Sequence, residues 1–224
     1  MNTNINIIRP WEFDRTVYFW HPPKTAGGSI WFNLQSASKE HGRPYWYRVP
    51  DLRKLDPVDP GFYKLLEEET TWQKHLPVQK TTISRTAPAI LSVRDPYSRC
   101  AAMHAYYVKH CNKAIEAGTW PEKASIKNMT DWLSSHSFHP PIWTPWKHCA
   151  YWRHHLKGPV AIIRYENLKE DFKEVTGHPW IDVQYNRTSE WTRERALEVL
   201  SRRDIENINY YFAEDFEMFG YEKV

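Results

Sequence analysis

The sequence predicts an α/β fold, with a mostly parallel central sheet flanked by helices, in a single domain that covers residues 1–224. Three apolar segments have the β-branched and aromatic content of buried strands, and each is followed by a loop and then by a helical pattern. Strands that alternate with helices are typical of a parallel sheet with helices on both faces. The sequence contains no internal repeat, low-complexity tract or linker, so a division into two domains has no support.

The first predicted unit consists of a strand, a glycine-bearing loop and a helix. The strand is TVYFW, residues 16–20, and the helix is SIWFNLQSASKEHG, residues 29–42. Gly42 ends the helical pattern, as glycine commonly does at a helix C-terminus. Four residues lie at helical spacing and predict its buried face: Ile30, Asn33, Leu34 and Ala37.

Two further units follow the same pattern. The strand PAILSVR, residues 88–94, precedes a long helix from about Tyr97 to Ala117. The apolar stripe of that helix consists of Cys100, Met103, Tyr107 and Cys111. The segment GPVAIIRYENLKEDF, residues 158–172, predicts a strand that runs into a helix whose first turn carries Glu166, and the final fifty residues predict one or two helices.

Two stretches between these units predict less regular structure. Residues 43–78 are rich in proline, aromatic and charged residues, with one short helical candidate at residues 60–69. Residues 118–150 contain the helical pattern KNMTDWLSSH and then SFHPPIWTPWKH, whose prolines prevent regular structure. The tryptophans of these stretches predict either a cleft for a ligand or packing of the loops onto the core; they are Trp46, Trp72, Trp143 and Trp146.

Charge and cysteine content argue against several classes of protein. The formal net charge is only +3, and charges of both signs are scattered along the chain, which argues against a nucleic-acid-binding arm. Three cysteines without a C-x-x-C pair predict neither a disulfide framework nor a zinc site, so a reducing compartment is expected. The N-terminus lacks a signal-peptide pattern and no run of about 18 apolar residues occurs, so we expect a soluble cytoplasmic protein without a membrane span.

The segment HPPKTAGGS, residues 21–29, combines the groups that bind a small anion. A loop that leads from a strand into a helix presents backbone N–H groups and the positive end of the helix dipole. Gly27 and Gly28 permit close approach of the backbone, Lys24 adds a positive charge, and a threonine and a serine add hydroxyl donors. The triphosphatase pattern G-x-x-x-x-G-K-[ST] is absent, because the lysine precedes the glycines. The other interpretation is a tight strand-to-helix turn with a solvated lysine.

These nine residues resemble the H-x-P-K-T-A-G-[TS]-S loop of the carbohydrate-type sulfotransferases, which include the heparan-sulfate 2-O-type enzymes. In that family the loop holds the 5′-phosphosulfate of 3′-phosphoadenosine 5′-phosphosulfate (PAPS). The resemblance implies a P-loop NTPase-like fold, with PAPS as co-substrate and 3′,5′-bisphosphoadenosine (PAP) as product. It assigns the 5′ side of PAPS to Lys24, Thr25, Ala26, Gly27, Gly28 and Ser29, and it gives Lys24 the catalytic role of stabilising charge on the bridging oxygen.

A second segment, VRDPYSRCAAMHAYY, is similar to the family signature R-D-P-x-x-R-x-x-S-x-Y. The resemblance assigns the 3′-phosphate to Arg94; the alternative is an ion pair with Asp95, although Asp95 is expected to cap the helix. The serine of the signature corresponds to Ala102 here. Ser98, one helical turn earlier on the same face, is expected either to supply the hydroxyl instead or to serve as a capping or surface serine. Arg99 matches the second arginine of the signature and is expected to be structural or auxiliary.

Three later segments extend the resemblance to Tyr221. IIRYENLKEDF and EDFEMFGY resemble the late family patterns R-x-E-N-L-x-x-D and D-F-x-x-F-G-Y. NRTSEWT resembles the family loop that closes over the nucleotide, which implies contacts of Arg187, Thr188 and Ser189 with the 3′-phosphate or the adenine. The segment TSEW, residues 188–191, also fits a helix cap that leads into TRERALEVL.

A sulfuryl acceptor also requires a general base, because a hydroxyl is a poor nucleophile until its proton is being removed. His75, in WQKHLPV, is similar to the family histidine in an H-x-P-like segment and is the first candidate for the catalytic base. His104, His139 and His148 are competing candidates, whereas the position of His21 in the loop motif predicts a structural role.

The sequence-based hypothesis is a PAPS-dependent sulfotransferase that transfers a sulfuryl group in line to an acceptor hydroxyl. The expected acceptor is a glycan, His75 is the expected base, and the scheme requires no metal. One rival is a magnesium-dependent, kinase-like phosphotransferase that uses the same loop. The other rival is a non-catalytic protein that binds sulfated or phosphorylated polymers through its scattered lysines, arginines and tryptophans.

Overall fold

The computed structural model describes residues 17–22, 24–40, 46–48, 86, 88–116, 148–183 and 191–224. The chain forms two compact units, each assembled from two separate stretches. Unit 1 comprises Met1–Val93 and His148–Tyr185, and unit 2 comprises Arg94–Lys147 and Asn186–Val224. Both units therefore depend on contacts between segments that are distant in the sequence.

Unit 1 contains a parallel sheet, which has four strands within the described ranges. They are β1 (Val17–Trp20), β2 (Trp46–Arg48), β3 (Ala89–Val93) and β4 (Val160–Arg164). Their order is β2-β1-β3-β4, and every neighbouring pair is parallel. The predicted α/β fold with a parallel sheet and flanking helices is confirmed at this level, and all three predicted strands form.

The described part of the chain contains seven helices. They are α1 (Gly27–Glu40), α2 (Pro96–Glu116), α3 (Cys149–His155), α4 (Leu168–Thr176), α5 (Arg193–Val199), α6 (Arg202–Tyr211) and α7 (Ala213–Phe219). Helices α1, α3 and α4 belong to unit 1, and the other four belong to unit 2. The long helix predicted from Tyr97 to Ala117 is α2, within one residue at each end.

The side chains of β1 alternate between the two faces of the sheet, as the two-residue period of a strand requires. Val17 and Phe19 lie on one face, where α1 and α4 pack. Their core also includes Ile30, Leu34, Ile90, Ala161, Ile163, Phe172 and Val175. Trp20 lies on the opposite face and meets Trp152 of α3 edge-on, with ring centroids 6.1 Å apart. Helices therefore cover both faces, as the sequence pattern predicts.

The strand order creates a topological switch point between β1 and β3. From β1 the chain continues to β2 on one side, whereas β4 lies on the other side of β3. In open parallel sheets, ligands bind beyond the carboxyl ends of the strands at such a point, because the connections leave it in opposite directions. The loop that follows β1, residues 21–26, begins at this switch point.

Helix α1 buries the face that its spacing predicts. Asn33, on that face, bonds to the segment after α4 as well as to its own helix. The Asn33 amide pairs with both backbone groups of Ile181: Nδ2 donates to the carbonyl at 3.1 Å and Oδ1 accepts from the N–H at 2.6 Å. Nδ2 also donates to the carbonyl of Ser29 at 3.0 Å. Asn33 is 1% exposed, so these bonds satisfy a buried polar group and fasten the segment after α4 to α1.

Helix α4 is tied to the end of β4 by a buried carboxylate. Asp171 accepts the backbone N–H of Arg164 at 2.8 Å. The prediction that Glu166 lies in the first turn is wrong: Glu166 is exposed and precedes the N-cap Asn167, and the acidic residues of the first turn are Glu170 and Asp171. A turn after β4 shifts the start of α4 to Leu168, so the carboxylate that binds the Arg164 N–H is that of Asp171.

Unit 2 is a helical assembly around α2. Helices α5 and α6 pack against α2, and the core includes Cys100 and Met103 of the predicted stripe. The other members of this core are Tyr97, Ala101, Ala196, Leu200, Ile208, Phe212 and Phe216. Within the described ranges, no helix has both the length and the apolar character needed to cross a bilayer.

Several predicted elements need correction or lie outside the described residues. The chain from 193 to 219 forms three helices rather than one or two, because a capping box of Ser201 and Asp204 starts α6 separately. Sequence patterns also do not reveal α3 or the three-residue strand β2, which lies in a stretch interpreted as irregular. The helical candidates at 60–69 and 127–136 fall outside the described residues, as do the side chains of Tyr107 and Cys111.

Two substitutions of Asp171 are expected to distinguish how its hydrogen bond and its ionisation contribute to the free energy of unfolding. Burial raises the pKa of Asp171, against the opposing effects of the Arg164 N–H and charge, while Glu174 and Glu170 raise it further. Because the folded pKa lies above the ordinary value, this carboxyl favours the fold most at acidic pH, and that contribution falls as pH rises through the raised pKa. Asp171→Asn keeps an acceptor oxygen and does not titrate, so it should flatten the dependence of unfolding free energy on pH above about pH 4.

The matched variant is Asp171→Ala, which leaves the Arg164 N–H without its acceptor. We expect this variant to lose about 1–3 kcal/mol of unfolding free energy at neutral pH. Urea unfolding at a series of pH values measures both effects. Equal pH profiles for the unmodified chain and Asp171→Asn would show that this carboxyl does not titrate as its burial requires.

Candidate anion-binding site

The loop between β1 and α1 has an unusual backbone. Lys24 has a φ of 64° and Ala26 a φ of 61°, so two residues with a Cβ adopt the left-handed conformation on either side of Thr25. Each such residue costs about 1–3 kcal/mol, and strain of this kind concentrates at sites that bind ligands. Turns with left-handed residues direct backbone N–H groups toward a common concavity, which suits an anion.

The helix that follows adds donors at the same place. The first hydrogen bond of α1 runs from the N–H of Ile30 to the carbonyl of Ala26, at 3.1 Å. By helix geometry, the N–H groups of Gly27, Gly28 and Ser29 have no acceptor within α1. The first turn itself carries no acidic residue that would neutralise the positive end of the helix dipole. The half-buried Lys24 lies two residues before the N-cap.

Thr25 fixes the loop to the neighbouring strand. Its side chain is fully buried, and its hydroxyl donates to the carbonyl of Pro22 at 2.6 Å. The same oxygen lies 2.6 Å from the hydroxyl of Ser92 in β3. A hydroxyl has a single proton, so Ser92 must be the donor of this second bond. The Thr25 hydroxyl therefore positions the loop, and in this arrangement it has no proton left for the donation to an anion that the sequence predicted.

His21 supports the start of α1 from beneath. Its ring stacks on Phe19, with centroids 5.3 Å apart and an interplanar angle of 13°, and the residue is 3% exposed. A Cβ at Gly27 would lie 1.9 Å from Cδ2 of this ring, so only glycine fits there. The structural role predicted for His21 agrees with this placement, and the glycine serves a steric requirement rather than a special φ.

Arg94 is one of two buried arginines at the start of α2 in unit 2; the other is Arg99. It is 4% exposed, its Nε donates to the hydroxyl of Ser98 at 3.1 Å, and its Nη2 donates to the carbonyl of Trp191 at 2.5 Å. Ser98 in turn donates its hydroxyl proton to the carbonyl of Asp95 at 3.1 Å. Since that proton is engaged, the Ser98 hydroxyl orients Arg94 instead of donating to a ligand in this arrangement.

Asp95 caps α2, as the sequence predicts. Its Oδ1 accepts the backbone N–H of Ser98 at 2.9 Å, while Pro96 occupies the first helical position. Its Oδ2 lies 2.6 Å from Nη1 of Arg193. Asp95 thus forms an ion pair with Arg193, across 98 positions of the sequence.

Arg99 and Asp215 form a buried ion pair. Their side chains are fully buried, and Nη1 of Arg99 lies 3.5 Å from Oδ2 of Asp215. Loss of one partner from such a pair leaves an uncompensated charge in the core, which costs about 3–5 kcal/mol. Arg99 is therefore structural, and the pair joins the R-D-P-x-x-R segment to the terminal E-D-F-E-M-F-G-Y segment.

The described residues cover part of the predicted site. Lys24 to Ser29 share one loop and helix start, and Arg94 and Ser98 share one hydrogen bond. The predicted base His75 and the predicted nucleotide contacts Arg187, Thr188 and Ser189 lie outside the described residues. The cap predicted at TSEW, residues 188–191, lies largely outside the described residues, and the N-cap of α5 is the next residue, Thr192, whose hydroxyl accepts the N–H of Arg195 at 3.3 Å.

Three residues of these networks are not predicted from the sequence. Ser92 lies inside an apolar strand, Trp191 acts through its backbone carbonyl, and Arg193 is one of many arginines. A polar residue within a strand that is buried along its whole length is the one feature that singles out Ser92.

Comparison of the chain with protein-family models, curated proteins and solved structures gives no match. Among the residues that the structure describes, no group of three or more histidine, cysteine or acidic side chains is arranged to hold a metal ion. The chemistry of the site is therefore argued from its own residues.

Gly27→Ala is expected to destabilise the protein through a clash with His21. An added methyl 1.9 Å from the ring forces the ring or α1 to move, which should cost about 1–3 kcal/mol of unfolding free energy. The control is the same substitution in a His21→Ala background, where the opposing ring is gone. Thermal and urea unfolding of the unmodified chain, the two single variants and the double variant give the coupling energy between Gly27 and His21. If Gly27→Ala lowers the unfolding free energy equally in both backgrounds, the ring does not pack against Gly27.

Proposed function

We propose that the chain is a PAPS-dependent sulfotransferase with a P-loop-like fold. The observation that carries this proposal is the strained loop with Lys24, at the switch point of a parallel sheet and at the start of α1. Left-handed backbone at two residues with side chains is retained where the N–H groups must surround a ligand. The resemblance of HPPKTAGGS to the sulfotransferase loop supplies the identity of that ligand, the 5′-phosphosulfate of PAPS.

The proposed reaction is an in-line transfer. The acceptor hydroxyl oxygen forms a bond to sulfur as the bond from sulfur to the bridging oxygen of PAPS breaks. The acceptor proton passes to His75, and PAP leaves with the electron pair on its 5′-phosphate. Lys24 and the N–H groups at 27–29 stabilise the charge that develops on the phosphate side, so they act more strongly in the transition state than in the ground state.

The proposed 3′-phosphate ligand is Arg94. Its guanidinium is preoriented by Ser98 and by the Trp191 carbonyl, so little side-chain entropy remains to be lost when an anion binds. A charge-assisted hydrogen bond of this kind contributes about 1.5–3 kcal/mol. The acceptor class that we propose is a carbohydrate, as the family resemblance implies.

Nucleotide binding is expected to show separate contributions of the two phosphates. Calorimetry with the unmodified chain should show PAP binding at least about tenfold more tightly than adenosine 5′-monophosphate (AMP) and ATP, without magnesium. Lys24→Met should weaken both PAP and AMP, because both carry the 5′-phosphate. Arg94→Lys keeps the charge but loses the planar fork, so it should weaken PAP by about tenfold and leave AMP unchanged.

The matched control is Arg202→Gln, since Arg202 pairs only at the surface, where its side chain is 93% exposed. This control should bind all three nucleotides as the unmodified chain does. Magnesium-dependent binding of ATP in preference to PAP would instead identify a phosphotransferase.

Sulfuryl transfer itself is expected to depend on Lys24 and His75. With sulfur-35-labelled PAPS and pools of glycans, Lys24→Met should lower the transfer rate by about 10²–10³-fold, as loss of one preorganised donor does in other enzymes. His75→Ala should lower it by about 10²–10⁴-fold. Arg202→Gln again serves as the control. Absence of transfer to every acceptor, together with salt-sensitive binding of sulfated polymers, would identify a polyanion-binding protein.

A further inference from the structure

Arg193 connects the C-terminal segment, residues 221–224, with the start of α2. Its Nη1 lies 2.6 Å from Oδ2 of Asp95, and its Nη2 donates to the carbonyl of Glu222 at 2.6 Å. Its guanidinium also lies 5.0 Å from the centre of the Tyr97 ring. A planar fork with two donors on one edge makes these two bonds at once, which an ammonium group does not.

Other contacts fasten the same segment at the same place. The N–H of Val224 donates to the Tyr97 hydroxyl at 3.0 Å, and that hydroxyl bonds to the side chain of Asn209. Asn209 Nδ2 donates to the Val224 carbonyl at 2.8 Å, and Lys223 lies over the Phe216 ring at 5.8 Å. These contacts fasten the segment to Tyr97, Asn209 and Phe216, and its Glu222 carbonyl binds Arg193.

The bonds of Arg193 continue to Arg94 through two residues. Asp95 receives Arg193 on one carboxylate oxygen and the Ser98 N–H on the other, at 2.6 and 2.9 Å. The Ser98 hydroxyl donates to the Asp95 carbonyl and accepts from Nε of Arg94, both at 3.1 Å. The short stretch that carries Arg193 also supplies the Trp191 carbonyl to Arg94. The stretch that carries Trp191 and Arg193 therefore reaches the Arg94 guanidinium by two routes: the Trp191 carbonyl contacts it directly, and Arg193 acts through Asp95 and Ser98.

We propose that Arg193 is a positioning residue that sets the selectivity of Arg94 for nucleotides with a 3′-phosphate. This proposal rests on the proposed function, since it assumes that Arg94 binds that phosphate. Arg193 acts through Asp95 and Ser98 without touching the ligand. Its bond to the Glu222 backbone makes the C-terminal segment part of the same arrangement.

The test compares the affinities of PAP and AMP, whose ratio isolates the 3′-phosphate. Arg193→Gln should lower the PAP-to-AMP affinity ratio by about tenfold and leave AMP affinity unchanged. Arg193→Lys keeps the positive charge but not the two parallel N–H donors of the guanidinium, so this variant should also lower the PAP-to-AMP affinity ratio. A ratio fully retained by Arg193→Lys would show that charge alone acts, and a ratio retained by Arg193→Gln would exclude any role; either result overturns the proposal.

A double-mutant cycle separates positioning from general stability. Because Arg193 acts through Arg94, the combination with Arg94→Lys should lower the ratio no further than Arg94→Lys alone. Additive losses would overturn the proposal. Arg202→Gln is the matched control, and AMP affinity and thermal unfolding show that each variant is folded. If the unmodified chain does not prefer PAP to AMP, the proposed function fails. If the unmodified chain prefers PAP and Arg193→Gln keeps that preference, only the role of Arg193 fails.

Discussion

The bond between Thr25 and Ser92 is the constraint on which the loop after β1 depends. Thr25 directs its only hydroxyl proton at Pro22, which closes a turn, and receives the proton of Ser92, which fastens that turn to β3. Both residues are completely buried, so water does not compete for these bonds. The left-handed backbone on either side of Thr25 costs free energy, and these two bonds, with the His21 ring packed under Gly27, offset that cost.

A comparable arrangement holds Arg94, a buried arginine of unit 2. Arg94 is kept out of solvent by partners that are themselves bonded, since Ser98 donates both its N–H and its hydroxyl to Asp95, the cap of α2, and Arg193 binds Asp95. A buried guanidinium without such partners would be strongly disfavoured. In both units, buried polar groups are therefore held by partners that are themselves hydrogen-bonded.

The sequence predicted the parts of this structure that depend on local pattern. The strands β1, β3 and β4, the helices α1 and α2, and the Asp95 cap follow from periodicity, from the dipeptide Asp-Pro and from the position of glycines. Strand β2 escaped prediction because three residues are too few to display an alternation. The placement of Glu166 was wrong because a turn after β4 delays α4, and helix boundaries are the least determined feature of a sequence pattern. The partners Ser92 and Arg193 were beyond prediction, since they lie 67 and 98 positions from the residues they bind and no local signal joins them.

The Asn33 side chain binds Ile181 only at its backbone, through the N–H and the carbonyl. The side chain of Ile181 takes no part in these two bonds and is 43% exposed. Position 181 is thus free to vary among residues that keep an amide hydrogen, whereas proline, which has none, would break the pairing. In related chains, we expect asparagine to be kept at position 33 while the residue at position 181 varies, because Asn33 binds the backbone of residue 181 and not its side chain.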